Sequence, residues 1–140
     1  RRLVAGRLLF LFLVVAAPEP DAMREASYFV ERLRSEDMPL GGLIVNRVQA
    51  IDVEIMTAET ALAAAERLTH DSGDEVLTAR LLELHADRLR IRERQQHITE
   101  RFTGAHPGVA VAQVPALAGD VHDMTGLAEI GELLCTPRPG

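Results

Sequence analysis

The chain has 140 residues, 47% of them hydrophobic and 26% charged, a balance that fits one globular domain with its own core and excludes a disordered segment. Its formal charge is −6 and its basic residues alternate with acidic ones, which argues against nucleic acid as the main partner, because phosphate binding needs clustered positive charge. All fifteen basic residues are Arg, which excludes a GxxxxGK[ST] phosphate loop and a Schiff-base lysine within these residues, and the lone Cys135 permits no internal disulfide and no cysteine zinc site.

The chain opens on Arg1 rather than Met and is read as a segment that starts inside a longer protein or follows processing. Arg1-Arg2 ahead of the apolar run 8–17, which closes on Ala16-Ala17, has the outline of a secretory signal. The run is, however, rich in Phe and Val, far shorter than the roughly 20 residues of a membrane span, and leads straight into a helix. A strand is the better expectation. After the turn Pro18-Glu19-Pro20, residues 21–36 carry Met23, Ala26, Phe29, Val30 and Leu33 at three-and-four spacing, with Arg24, Glu25, Glu31, Arg32 and Arg34 opposite, which predicts a one-sided helix. Pro20 suits its start, and Met38-Pro39-Leu40-Gly41-Gly42 is expected to end it. Residues 43–48 are short and nearly all apolar, as in a parallel strand covered on both faces. Together these pieces make a βαβ unit, whose parallel strands are joined by a right-handed crossover and whose ligands sit beyond the strands' carboxyl ends. Glu19 stands at the first such end, Asn46 and Arg47 at the second.

Residues 50–102 have helical periodicity throughout. Ile51, Ile55, Ala58, Leu62 and Ala65 form one stripe; beyond the break His70-Asp71-Ser72-Gly73-Asp74, a second stripe runs through Leu77, Leu81, Leu84, Ile91, Ile98 and Phe102. Two helices joined by a short turn make an αα-hairpin, its stripes facing each other or a third surface. The connection is longer than a crossover needs, so it is read as an insert over about 50–103, and inserts at strand ends tend to carry function. A loop at Ala105-His106-Pro107-Gly108 leads to a third strand at 109–114, ended by Pro115. Residues 116–120 form a loop, Asp123 is a candidate N-cap for a last helix bearing Leu127, Ile130, Leu133 and Leu134, and 136–140 is a frayed tail.

Single residues allow more than one role. The Asn46 carboxamide both donates and accepts, as reading adenine at N6 and N7 requires, but Asn also commonly forms the turn that ends a strand. Glu19 could face a ribose or a partner subunit, or sit solvated at the positive start of the helix. The five histidines lack the four-residue helical spacing of a metal pair. Asp120, His122 and Asp123 lie close in sequence, yet spacing supplies no further ligand and Asp123 already serves as a cap. Cys135 reads as a small buried apolar residue. The run RLRIRER at 88–94 reads as a solvated face with Glu partners rather than a polyanion site.

Three stretches, FLVVAAPEPDAMREA at 12–26, MPLGGLIVNRV at 38–48 and VPALAGDVHD at 114–123, together resemble the carboxyl-terminal half of the anion-transporting ATPase family, nearest its actinobacterial branch. That family includes the arsenite-pump ATPase and the ATPase that targets tail-anchored membrane proteins. The order of strand, Pro-Glu turn, helix, strand ending in Asn, helical insert, strand, Pro loop and helix spans nearly the whole chain and is more specific than any one motif. The resemblance implies an α/β, parallel-sheet P-loop NTPase fragment of a cytoplasmic ATPase that forms a homo- or heterodimer around ATP. It implies that Asn46 reads adenine with Arg47 beside it, that Pro115, Ala116 and Leu117 border the base by main chain and packing, and that Glu19 lies near the nucleotide and dimer face. The Lys-containing phosphate loop, the Mg²⁺ site and both switch regions would lie upstream, so this segment alone is expected not to hydrolyse ATP. The insert would meet a hydrophobic client or membrane-protein partner. Metalloid transport is not expected, because that branch uses several cysteines. Two other classes stay open: a non-catalytic α/β module that works through the helical hairpin, and a secreted helical protein.

Overall fold

Three of the apolar runs pair as parallel strands in the computed structural model, which describes residues 10–51, 56–68, 74–117 and 119–135. They are β1 (Phe12–Ala16), β2 (Leu40–Val48) and β3 (Val111–Pro115), in the spatial order β1-β2-β3. Four helices accompany them among the described residues: α1 (Pro20–Ser35), α2 (Ala58–Leu68), α3 (Asp74–Ala105) and α4 (Met124–Cys135). The chain is α/β, with α1 crossing from β1 to β2 and the α2–α3 pair crossing from β2 to β3. Arg1-Arg2, the start of the first apolar run, Ile55, the break at 70–73 and the tail at 136–140 lie outside the described residues. No helix among the described residues is long and apolar enough to cross a membrane.

Strand register decides where the core lies. Val14 pairs with Leu43, Ala16 with Val45, and Leu43 on its other side with Val111, so these side chains share one face of the sheet. Onto that face α1 lays Met23, Ala26 and Val30, three buried residues at three-and-four spacing. Phe102, near the end of α3, completes the cluster with Ile98 packed beside it. Burying a side chain of Val, Leu or Phe size contributes about 1.5–3 kcal/mol, so this cluster is the main hold on the sheet. The other face is barer: Leu13 and Val15 of the edge strand are 58% and 60% exposed, while Ile44 of β2, the strand expected to be covered on both faces, is half-buried.

Several boundaries differ from the sequence expectation for identifiable reasons. Helix α1 ends without help from Pro39 or the glycines: Asp37 takes a left-handed φ of 54°, and the N–H groups of Asp37 and Met38 donate to the carbonyls of Arg34 and Leu33 at 3.2 and 2.9 Å. That turn releases the chain early, so β2 starts at Leu40 and takes in Gly41 and Gly42. A Cβ on Gly42 would lie 2.6 Å from the Ala110 carbonyl oxygen, the acceptor of the Leu43 N–H at 2.8 Å, so the pairing of β2 with β3 needs glycine there. Phe29, expected on the buried stripe of α1, is instead exposed and meets Tyr28 edge-on with ring centroids 6.3 Å apart.

The hairpin departs further. Helix α2 begins only at Ala58, because the Thr57 hydroxyl accepts the Thr60 N–H at 3.2 Å and caps the helix there. Its buried side is Ala58, Ala61 and Ala65, and the first two form with Ala86 and Leu89 of α3 a second, small-residue core. Leu77, Leu81, Leu84 and Ile91, the first part of the expected α3 stripe, are exposed, so of the two expected arrangements they take the one that faces away from α2. The stripe's last two members, Ile98 and Phe102, belong to the sheet core instead, so the end of α3 is part of the body. Helix α4 follows Asp123, whose Oδ1 accepts the Gly126 N–H at 2.8 Å, as the cap expectation requires. None of its residues is buried, and Cys135 is exposed rather than the buried apolar residue its pattern implies.

Candidate functional site

The carboxyl end of β2 is fixed from two sides. The Val48 carbonyl accepts the Ala116 N–H at 2.8 Å, tying β2 to the loop after β3, and Gln95 Oε1 of α3 accepts the Gln49 N–H at 2.7 Å. Just before these anchors the ladder breaks: Asn46 pairs with Val114 and Val48 with Pro115, leaving Arg47 unopposed as a bulge. Arg47 has a φ of 65°, in the left-handed region, which costs an L-residue other than Gly about 1–2 kcal/mol. Bulges and such outliers gather where a chain re-aims a side chain for function.

Alternation puts Asn46 on the face of β2 away from the Leu43–Val45 core side, beside buried Val114. Asn46 is half-buried, and its carboxamide forms no hydrogen bond with any described residue. Pro115 pairs with Val48, so the same alternation puts its side chain on the face opposite Asn46; the exposed Ala116 is tied to Val48 by its N–H, and Arg47 is exposed at the same end of the sheet. Leu117, the next residue in the chain, is half-buried and lines a cavity of about 300 Å³ with Gly119, Asp120, Val121, His122 and Asp123. Register therefore brings Asn46, Arg47 and the main chain of Pro115 and Ala116 to one end of the sheet, with Leu117 leading into a cavity that none of these four lines.

Glu19 is less involved. Its backbone shapes the turn, the N–H donating to Ala17 at 2.8 Å and the carbonyl accepting the Met23 N–H at 2.9 Å, while its exposed side chain makes no cap bond. It stands at the carboxyl end of the neighbouring strand β1, and no hydrogen bond or ion pair joins its side chain to the Asn46 group. Asp120 and His122 line the cavity wall, but no group of three or more His, Cys, Asp or Glu among the described residues could hold a metal ion. Sequence reasoning missed the Gln95 anchor, which lies in the supposed insert, and the Arg47 bulge, which Arg does not signal as Gly or Asn would.

The side chains at this end of β2 are a half-buried carboxamide with no hydrogen-bond partner among the described residues and an exposed guanidinium. No protein-family model matches the chain, and no curated protein matches it. The class defined by the coordinates is thus an α/β chain with a three-stranded parallel sheet and a polar group at the carboxyl ends of its strands.

Proposed function

We propose that the strand-end group recognises adenine, and that the chain is the base-reading half of an ATP-binding, P-loop-type ATPase of the anion-transporting kind, working in the cytoplasm as a dimer. The observation that carries the proposal is Asn46: a half-buried carboxamide with no hydrogen-bond partner among the described residues, near the carboxyl end of the central strand of a parallel sheet. Ligands of open parallel sheets gather at that edge. Adenine presents an N6 donor and an N7 acceptor, which one carboxamide satisfies with its oxygen and its NH₂; guanine presents O6 and N7, both acceptors, and leaves the carboxamide oxygen facing O6. The main chain of Pro115 and Ala116 borders the ring, and the bulged Arg47 supplies a guanidinium to stack on the base or meet an acidic group. Phosphate binding, Mg²⁺ and the attacking water fall in this account to residues outside this chain, which has no Lys.

Calorimetric titration of ATP and GTP into the full-length protein tests the proposal: Asn46→Ala is expected to lose about 1–3 kcal/mol of preference for adenine. A second function, an interaction module built on the hairpin, is favoured by the exposed row Leu77, Leu81, Leu84 and Ile91. In the ATPase account the same row would receive a hydrophobic client or a membrane-protein partner.

A further inference from the structure

The middle of α3 is apolar on two opposite sides. Ala79, Leu82, Ala86 and Leu89, at spacings of three, four and three, make the side toward α2, where Ala79, Ala86 and Leu89 are buried. Leu77, Leu81, Leu84, Arg88 and Ile91 follow at four, three, four and three on the reverse side, with the four apolar members 64%, 58%, 52% and 45% exposed. At 3.6 residues per turn the two rows lie on opposite sides of the helix. Alternating steps of four and three are the a/d repeat of a coiled-coil seam, here running about four turns with no helix against it among the described residues. We propose that this seam pairs with the same seam of a second copy of the chain, antiparallel. The inference rests on the interaction-module function and names its occupant.

Charge selects both the occupant and the orientation. In a parallel pair, Arg88 would face the partner's Arg88 within one layer and repel it. The antiparallel register instead sets Leu81 against the partner's Leu84 and lays the aliphatic stem of Arg88 over the partner's Leu77. On the flank of that register Arg80 stands opposite the partner's Asp87, and two-fold symmetry repeats the pair. Both side chains are available, at 74% and 68% exposure; Arg80 already lies 2.7 Å from Glu83 on its own helix, and Asp87 lies 4.0 Å from Arg90. The seam also ends short of Gln95, the residue through which α3 joins the sheet, so two bodies are carried at opposite ends of the pair.

Sedimentation equilibrium of the full 140-residue chain over a range of concentrations tests this. The wild type is expected to form a reversible dimer, and Leu81→Glu with Leu84→Glu to raise its Kd roughly a hundredfold while circular dichroism keeps its helix content, since both side chains are exposed. Arg80→Asp and Asp87→Arg should each weaken the dimer by roughly three- to tenfold, and the double variant should recover it. A chain that stays monomeric, or a dimer indifferent to all of these changes, overturns the proposal. Titration with a synthetic Leu/Ala helical peptide separates the two levels: a monomer that binds the peptide through Leu81 and Leu84 overturns self-pairing but keeps the interaction function, and a monomer that ignores it overturns both.

Discussion

The sheet body and the helical hairpin are held by different kinds of core. In the body, large residues from three elements interlock: Met23 and Val30 from α1, Leu43 and Val45 from β2, and Phe102 from α3. In the hairpin the buried residues are mostly alanine, Ala58, Ala61 and Ala86, with Leu89 the single large one. Large side chains fill volume and give the greater burial energy, whereas alanines let two helices approach closely at little gain per residue. The body is thus specified by shape and the hairpin by closeness. Of the two places the sequence pattern leaves open for the α3 leucines, against α2 or toward a third surface, Leu77, Leu81 and Leu84 take the second.

Helix α3 belongs to both regions, which makes Phe102 the sharpest place to test the contrast. Phe102→Ala should lower stability by about 3–5 kcal/mol, and urea unfolding should remain one transition, because the helix that loses its anchor also carries the hairpin. Two separate transitions would show that the regions are independent. For the same reason, deletion of residues 50–102 as a block is expected to unfold the body, since it removes Ile98 and Phe102. Ala61→Leu probes the hairpin alone: Ala61 is fully buried, so the added methylenes should cost about 1–3 kcal/mol and leave the sheet intact, read as a lower urea midpoint with retained strand signal. The smallest effect is expected at the strand end. Arg47→Gly relieves the left-handed φ and should raise stability by about 1 kcal/mol, while removing the guanidinium from the candidate site and weakening nucleotide binding. A destabilised Arg47→Gly would mean that the Arg side chain itself holds the bulge.

How much the sequence discloses follows the same division. The βαβ order, the three parallel strands and the Asp123 cap are legible, because alternation, Pro position and cap chemistry are local signals. The α2 start is legible in principle from Thr57 and was hidden by the apolar Ile51, which extends the apparent stripe toward the strand. Which row of α3 packs on α2 is not local: leucines every three or four residues look like a core, and only the alanine row on α2 shows that the other side of α3 is taken. At the site, the type and position of Asn46 are readable, and so is its neighbour Pro115. The bulge at Arg47 and the Gln95 bond to β2 depend on register and on a contact between residues 46 apart in sequence, which no local pattern encodes.

The central claim is that Asn46 reads an adenine base, and the most direct measurement is the difference in binding free energy between ATP and GTP for the full-length protein, wild type against Asn46→Ala, by calorimetry at fixed salt and Mg²⁺. The wild type is expected to prefer ATP and the variant to lose about 1–3 kcal/mol of that preference, with its urea midpoint little changed because the carboxamide has no hydrogen-bond partner among the described residues to lose. A wild type that binds both nucleotides alike, or a variant with its preference intact, would contradict that role and leave Asn46 as a strand residue beside the Arg47 bulge.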